Sequence, residues 1–285
     1  MIEKVLVGID GSERGARAQA WAVNFANHES AAVTLMLVID ARFTRNSGMP
    51  HEQIRAVAEE VLAEAKEQAH RQCPSVPVEV KLVEGRLLEA IADEAEDYDL
   101  VVLGSHHGGS VGESIGGAKG LRIAVSTTTP TAVIPVDWSE KFSGRGIVVG
   151  LAPDDSSDSA VAFALEMARE TKEPLELVST WGLPAFLSKP AKAMGGELTD
   201  IGRQYQQRID ALVAQLKEAN PDIEISGQAV EGESPTRALI DYSKGFGTLV
   251  LGTRTTSALG RALFGSLTHS VLMNLTIPTI VVSQP

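Results

Sequence analysis

The feature that most constrains this chain is an internal repeat whose later part keeps a constant spacing. Three glycine or proline pairs lie 148 residues apart, since 252 − 104, 265 − 117 and 278 − 130 all give that number. The pairs are Gly104 with Gly252, Gly117 with Gly265, and Pro130 with Pro278. Unrelated segments are not expected to keep such pairs in register without a gap, so the sequence predicts a duplicated domain. We expect the two copies at residues 1–138 and 144–285.

Each copy alternates short apolar runs with segments of helical periodicity. In the first copy this predicts strands at 5–9, 33–39, 78–82, 100–103 and 132–136, with helices at 13–27, 50–72, 87–95 and 121–126. The second copy begins the same way, with strands at 147–151 and 175–180 and helices at 155–172 and 199–219, and ends with strands at 248–251 and 280–282 around a helix at 267–275. Such alternation predicts an α/β fold with a parallel sheet covered by helices on both faces.

The segment 252–270 stands out chemically within the second copy. It follows an apolar strand, continues as a polar loop and reaches a predicted helix N-terminus at Gly265 and Ser266. A helix N-terminus attracts anions, because its unpaired N–H groups and its dipole both favour negative charge. Ser266 and Thr268 add two hydroxyl groups to the first turn. The pattern therefore predicts a phosphate site, with an ordinary capped helix as the alternative.

Charge supports the phosphate interpretation of this segment. It contains Arg254 and Arg261 but no Asp or Glu, in a chain whose formal net charge is −12. The two arginines are either phosphate ligands or solvated loop charges, and the sequence leaves both open. The overall acidic balance argues against a nucleic-acid surface, because duplex binding depends on Lys and Arg neutralising phosphates.

Composition sets the remaining limits on the class of protein. With 285 residues and 44% hydrophobic content, each copy is long enough to bury its own core. The single Cys73 excludes an internal disulfide and favours a structural role in a reducing compartment. Neither a signal peptide nor an apolar run long enough to span a membrane is evident, which predicts a cytoplasmic protein.

Two motifs together resemble the universal stress protein family. The family's first strand ends Val-Gly-Ile-Asp-Gly-Ser, which stands here at residues 7–12. Its nucleotide loop, Gly-x2-Gly-x9-Gly-Ser/Thr, is matched from Gly252 to Ser266, although Thr255 replaces the second glycine. A closing strand of the Pro-x-Val-Val-Val type follows at residues 278–282. The resemblance covers nearly the whole chain in two copies.

The resemblance implies a doubly wound, five-stranded parallel sheet of order 3-2-1-4-5 in each copy. It also implies ATP as a ligand, which is frequent in one branch of the family, and dimer contacts through the last strand. In this order the connections leave strands 1 and 4 in opposite directions, so a crevice opens at their carboxyl ends. Because the final strands would otherwise be exposed apolar edges, we expect the two copies to form an intramolecular pseudo-dimer, and a homodimer is possible.

The candidate nucleotide-contacting residues follow from these motifs. In the second copy they are Gly252, Arg254, Thr255, Gly265, Ser266, Leu267 and Thr268, with Ala152 and Thr180 at the ends of its first two strands. In the first copy they are Asp10, Gly104 and Gly117.

The two copies depart from the family pattern at different positions. In the first copy His107 replaces the second loop glycine, Ala118 and Gly120 replace the hydroxyl residues, and Glu113 adds a negative charge. The sequence therefore favours the second copy as the phosphate site.

The second copy lacks a different part of the pattern. Ala152 stands where the first copy has Asp10, and whether Asp154 or Asp155 substitutes is open. A carboxylate repels phosphate unless it binds a metal or a ribose hydroxyl. We therefore expect the loop to decide the affinity.

The predicted function is that of a stress-response or signalling protein that binds ATP, possibly with Mg, without significant turnover. No general base stands beside a nucleophile, so the sequence predicts no enzyme. A metal site at the adjacent His106 and His107 is not expected, since no further ligands lie at tetrahedral-site spacing. A nucleotide-free scaffold acting through dimer and partner contacts is the alternative, followed by an enzyme that uses the crevice.

Overall fold

A computed structural model describes residues 2–105, 127–139, 144–152, 157–182, 197–256, 261–263 and 266–284. The chain divides into two compact units. Unit 1 comprises Met1–Lys141 with Thr256–Ala262, and unit 2 comprises Phe142–Thr255 with Leu263–Pro285.

Unit 1 has five parallel strands, in the order β3-β2-β1-β4-β5. The strands are β1 Lys4–Gly8, β2 Ala32–Asp40, β3 Val78–Gly85, β4 Leu100–Gly104 and β5 Thr131–Ile134, and the helices are α1 Glu13–Glu29, α2 Ala41–Asn46, α3 His51–Gln72 and α4 Leu87–Ala95. This is the predicted 3-2-1-4-5 order, so the sequence prediction of the fold is confirmed for this unit.

The central strand of unit 1 is buried on both faces. Val5, Leu6 and Val7 are all at most 1% exposed, although their side chains alternate between the two sides of the sheet. Leu6 belongs to a core cluster with Ile91 of α4. Helices must therefore cover both faces, as expected for a parallel sheet.

Helix α1 begins immediately beyond the end of β1, at the point where the predicted crevice opens. Ser12 is its N-cap, and the Ser12 hydroxyl accepts a hydrogen bond from the Gly15 N–H at 3.3 Å. Such a side-chain cap satisfies one of the four N–H groups that a helix N-terminus leaves unpaired. The helix ends at Ser30, which adopts the left-handed conformation and donates its N–H to the Ala26 carbonyl.

Unit 2 repeats the arrangement with parallel strands in the order β8-β7-β6-β9-β11. Its strands are β6 Ile147–Gly150, β7 Leu175–Trp181, β8 Ile225–Glu231, β9 Thr248–Thr256 and β11 Thr279–Gln284, and its helices are α5 Asp158–Thr171, α6 Glu197–Ala219, α7 Pro235–Ser243 and α8 Ser266–Leu272. A short strand, β10 Arg261–Leu263, follows β9, and its first two residues belong to unit 1. Leu239 of α7 and Val271 of α8 pack with Leu249 and Leu251 of β9 in one core cluster.

Strand β9 is longer than the sequence predicts, since the predicted strand ends at residue 251. It continues to Thr256, because its backbone pairs with β11 as far as Arg254 opposite Gln284. Gly252, Arg254 and Thr255 therefore belong to a strand, whereas the sequence analysis placed them in a loop. The short α2 and the pair β8 and α7 were not predicted, and the helix predicted at 121–126 lies outside the described residues.

Within the described ranges, no helix combines the length and the apolarity needed to cross a membrane.

Candidate ligand site at the carboxyl ends of the strands

The crevice of unit 1 lies where the strand order reverses. Strand β1 pairs with β2 on one side and with β4 on the other, and ligands of open α/β sheets bind outside the carboxyl ends at such a point. Asp10 follows the end of β1, and Gly104 ends β4. Both residues line one cavity, so the structure brings together these two sequence-predicted positions.

A tight turn holds Asp10 at the mouth of this crevice. Its Oδ1 accepts hydrogen bonds from the Ser12 N–H at 3.0 Å and from the Ser12 hydroxyl at 2.5 Å. Gly11 has φ +74°, in the left-handed region that glycine adopts without a steric penalty. A Cβ at Gly15 would lie 2.9 Å from the same carboxylate oxygen. The Gly-Ser signature therefore orients the carboxylate as well as capping α1.

The cavity at this crevice has a volume of about 490 Å³, within the usual range of roughly 300–1,000 Å³ for small-molecule pockets. Its walls are the ends of β1, β2 and β4 and one side of α3 and of α4. The apolar side chains that line it include Val38, Ile39, Ile54, Leu87, Ile91 and Leu103. Sequence reasoning missed these positions, because buried apolar residues in strands and helices give no functional signal by themselves.

The cavity lining contains three charged residues. Asp10, Asp40 and Arg14 contribute two carboxylates and one guanidinium. Asp40 is oriented by the Arg42 N–H, which donates to its Oδ1 at 2.8 Å. These three residues give the described part of the lining a net negative charge.

Gly104 has a packing role that the sequence analysis did not anticipate. A Cβ at this position would lie 2.7 Å from the Arg14 carbonyl oxygen and 2.9 Å from its carbonyl carbon. Glycine is therefore required here for the close approach of α1 to the end of β4. Whether it also contacts a phosphate stays a prediction.

We expect Gly104→Ala to lower the free energy of unfolding of unit 1 by about 1–3 kcal/mol, the usual cost of overpacking against groups that cannot move aside. Gly85→Ala is the matched control, because a Cβ at Gly85 would lie 3.9 Å from Ala90 Cβ, an ordinary contact. Urea denaturation of both variants measures the difference. Equal stabilities would contradict the packing role.

The first strand of unit 2 ends with the same close packing as that of unit 1, but the turn after it has a different hydrogen bond. A Cβ at Gly150 would lie 2.7 Å from Leu251 Cδ2, as one at Gly8 would lie 2.8 Å from Leu103 Cδ2. Ala152, at the position of Asp10, donates its N–H to the Ser157 hydroxyl at 2.7 Å. In unit 2 the acceptor of the turn hydrogen bond is therefore a serine hydroxyl, whereas in unit 1 it is the Asp10 carboxylate. Asp154 and Asp155 lie outside the described residues.

An aromatic pair distinguishes unit 2 from unit 1 beside the crevice. The rings of Trp181 and Tyr205 stack with their centroids 6.2 Å apart. The first two strands of each unit pair in the same register, with Val5 opposite Val33 and Ile147 opposite Leu175. Equivalent residues of these strands are therefore 142 positions apart in the sequence. Trp181 of unit 2 thus corresponds to Ile39 of unit 1. Trp181 is 7% exposed, so its ring is buried beside Tyr205. Thr180, the preceding residue, is half-buried.

The structure describes the loop residues of the two units only in part. Gly265 of unit 2 lies outside the described residues, as do Gly117 and the histidine pair 106–107 of unit 1. Ser266 begins α8, and Leu267 packs partly buried against the core of the unit. Thr268 is 4% exposed, and its hydroxyl donates to the Gly252 carbonyl at 3.4 Å. That bond joins α8 to β9, so the role of Thr268 as a phosphate donor stays a prediction.

No group of three or more His, Cys, Asp or Glu side chains in the described part of the chain is placed to hold a metal ion.

The fold and the crevice define a duplicated, doubly wound α/β protein with a ligand-sized cavity at a topological switch point. A sequence model of the universal stress protein family matches residues 1–135 and 145–283. The chain therefore belongs to the universal stress protein family and contains two copies of its domain.

Individual relatives agree with this assignment. A universal stress protein of Mycobacterium tuberculosis strain H37Rv is 23% identical over 290 residues, covering 98% of this chain and 97% of the relative. A universal stress protein of Mycolicibacterium smegmatis is 32% identical over 143 residues, which is 48% of this chain and 47% of the relative. Among solved structures, a universal stress protein of Archaeoglobus fulgidus superposes with a TM-score of 0.75 at 17% identity, covering 99% of this chain and 98% of that one. The structural likeness shows the shared fold.

Proposed function

We propose that this protein binds ATP, alone or with Mg, in the crevice outside the carboxyl ends of the first and fourth strands of a unit. It acts as a stress-response or signalling module, without significant turnover. Nucleotide binding changes the balance between conformations or partner contacts, since a ligand shifts an equilibrium toward the state that it binds better.

The observation that carries this proposal is the cavity in unit 1. It lies at the switch point that the strand order predicts, it is lined mainly by apolar side chains, and its volume of about 490 Å³ is sufficient for a nucleoside. Because unit 2 repeats the strand order, its crevice lies at the equivalent point of its own sheet. The cavity thus supports a base-binding subsite at this point of the fold.

The assignment of the phosphates to unit 2 rests on the sequence. Its loop keeps Gly265, Ser266 and Thr268, whereas the first copy has lost both hydroxyl residues and gained Glu113. The base of an ATP molecule in unit 2 would lie near the stacked Trp181 and Tyr205. The cytoplasmic location and the dimer through the final strands stay predictions.

The direct test is to denature the purified protein and to identify any released small molecule by mass spectrometry. An adenine nucleotide at about one per chain supports the proposal. A protein that releases none, and that shows no heat on titration with ATP and MgCl₂, favours the scaffold of the same fold that acts through partner contacts.

We expect no steady ATP turnover even when ATP is bound. Phosphoryl transfer requires a positioned metal and a group that orients the attacking water. The segment 252–270 contains no carboxylate that could do either. A phosphate-release assay on repurified protein checks this, and a rate on the order of 1 per second, within the ordinary enzyme range, would contradict it.

A further inference from the structure

We propose that the outer edge of strand β3 in unit 1 is a self-association surface, on which a second copy of this chain adds its own β3 in the antiparallel direction. Val80 lies at the centre of this pairing. The surface is separate from the proposed ATP site and from the expected contact through the final strands. Because a single pair of strands makes a small interface, the dimer is weak and reversible.

Strand β3 lies at the edge of the sheet and presents a row of backbone groups on its outer side. It pairs with β2 over its whole length, and it is the terminal strand in the strand order. The Val33 N–H donates to the Pro77 carbonyl. Since alternate residues of a parallel ladder bond to the same neighbour, Val78, Val80 and Leu82 direct their N–H and C=O groups away from β2. Within the described ranges no side chain bonds to these outward groups, so another strand can pair with them.

The equivalent edge of unit 2 is closed by a side chain of its own unit. On the outer side of β8, the Gln206 amide of α6 donates to the Gly227 carbonyl at 3.1 Å. The same amide accepts a hydrogen bond from the Ala229 N–H at 2.8 Å. An amide that donates to one backbone group and accepts from the next takes the place of a neighbouring strand. The edge of β8 is therefore protected where that of β3 is open.

Unit 1 has a different residue at the position of this amide. Equivalent residues of α3 and α6 lie 147 positions apart, because 220 − 73 gives that offset for the backbone N–H groups that end the two helices. The strands β3 and β8 share the offset, since Val78 and Ile225 hold the same place in their ladders. Glu59 therefore stands at the position of Gln206, and it accepts a hydrogen bond from the Arg55 Nε at 2.9 Å. An ionised carboxylate cannot donate to a carbonyl, so Glu59 cannot close the edge of β3 as Gln206 closes that of β8.

The charged side chains of β3 are complementary to those of a second β3 that runs in the opposite direction. When Val80 lies opposite the partner's Val80, Glu79 lies opposite the partner's Lys81, and the two-fold symmetry repeats this ion pair. Opposite charges directly across an antiparallel pair are stabilising, whereas like charges are destabilising. The two neighbouring registers that keep the outward groups paired place either Lys81 or Glu79 opposite itself. The charges therefore select one register.

The Lys81 ammonium can take part in this ion pair without losing its contact within the chain. It pairs with the carboxylate of Glu94 in α4, and the Lys81 side chain remains 44% exposed. An ammonium group carries three N–H donors, so it can bind Glu94 and the partner's Glu79 together. Glu79 is exposed and lies on the same side of the strand as Lys81.

Exposed apolar surface at the centre of the edge supports the same pairing. Val80 is 41% exposed, although it belongs to a strand. Unit 2 has Gly227 at this position, which leaves no side chain to cover. Contact between the two Val80 side chains across the two-fold axis removes apolar surface from water.

The test is sedimentation equilibrium of the full-length chain over a range of concentrations. Glu79→Lys places a lysine opposite the partner's Lys81 at two points of the dimer, and it is expected to weaken dimerisation at least tenfold. Gln228→Glu adds a charge at the position of Lys81 on the closed edge of unit 2. It is the matched control and is expected to change dimerisation less than twofold. A chain that stays monomeric up to about 1 mM, or a dimer that Glu79→Lys leaves unchanged, would overturn the proposal.

A mixing experiment separates a lost ion pair from a misfolded variant. Lys81→Glu alone is expected to weaken dimerisation as Glu79→Lys does, because glutamates then face each other twice. In an equimolar mixture of the two variants, opposite charges face each other again at both points. The mixture is expected to dimerise at least tenfold more tightly than either variant alone. A mixture that dimerises no better than its components would contradict the antiparallel register.

Hydrogen exchange distinguishes this dimer from one formed through the final strands. Exchange of the Val80 and Leu82 amide protons is expected to slow as the protein concentration rises, because these groups become paired in the dimer. Slower exchange confined to the strands β5 and β11 would overturn the proposal. None of these measurements requires a nucleotide, so the ATP site and the β3 surface fail separately.

Discussion

Replacing Gly265 with Glu is expected to abolish ATP binding, whereas Gly117→Glu is expected to leave the affinity within a factor of two. The first change adds bulk and negative charge at the position proposed for the phosphates. The second affects a copy whose loop has already lost both hydroxyl residues. A lost hydrogen bond to a charged group costs roughly 1.5–3 kcal/mol, so the loss of two weakens binding on the order of a hundredfold or more. Calorimetric titration with ATP and MgCl₂ measures both variants.

The opposite pattern would show that the phosphate site is assigned to the wrong unit. If Gly117→Glu removes the signal and Gly265→Glu retains it, Asp10 and the cavity of unit 1 dominate nucleotide affinity. Asp10 is the residue that could produce this inversion, through a ribose hydroxyl or a metal ion, because only the first copy retains it.

Truncating equivalent leucines of the two units should have unequal costs. Leu251→Ala is expected to lower the free energy of unfolding of unit 2 by about 3–5 kcal/mol, because the change leaves a closed void in the core. Leu251 is 1% exposed and packs among Leu239, Leu249 and Val271. Leu103 occupies the same position in unit 1 but lines the cavity. Leu103→Ala is expected to lower the free energy of unfolding of unit 1 by only about 1–2 kcal/mol. The change widens an existing cavity, and a side chain that lines a cavity has fewer packing contacts to lose.

Urea denaturation followed by circular dichroism measures both losses, with the two units fitted as separate transitions if they unfold separately. Leu249→Ala serves as a control within unit 2, since Leu249 is also 1% exposed in the same cluster and should cost as much as Leu251→Ala. Equal losses for Leu103→Ala and Leu251→Ala would mean that the cavity of unit 1 closes in solution.

The difference between the two crevices suggests how the duplicated domain diverged. Unit 1 keeps Asp10 and an open apolar cavity, while unit 2 keeps the hydroxyl-bearing loop and places Trp181 and Tyr205 beside its crevice. Under the proposed function, each copy therefore retains a different half of the nucleotide site.

The fold could be predicted from the sequence because its signals are local and repeated. Apolar runs such as 5–9 and 100–103 are too short for buried helices and alternate with clear helical periods, which is typical of a parallel sheet. The offset of 148 residues, which is constant through the later part of each copy, then indicated the second copy. The strand order came from the family resemblance, and the structure confirms it in each unit.

The candidate site could be predicted only where a residue type itself indicates the chemistry. Asp10 and Gly104 could be placed at one crevice, because the carboxyl ends of neighbouring parallel strands meet at one edge of a sheet. The apolar walls could not be predicted, since Ile54 or Ile91 is indistinguishable in sequence from any core residue. The sequence indicated Gly104 only as a nucleotide contact. The structure shows that a side chain at this position would also collide with the backbone of α1 at Arg14.

The sequence by itself determined the duplication, the α/β class and the loss of different motif residues in each copy, because these depend on residue identity and spacing along the chain. Only the tertiary structure decided that β9 continues through Gly252 to Thr256, since that extension depends on pairing with β11. It also decided that Thr268 donates to the Gly252 carbonyl and that an open cavity lies beneath Asp10. These features depend on the distances between side chains and backbone groups that lie far apart in the sequence, and residue spacing along the chain does not encode such distances.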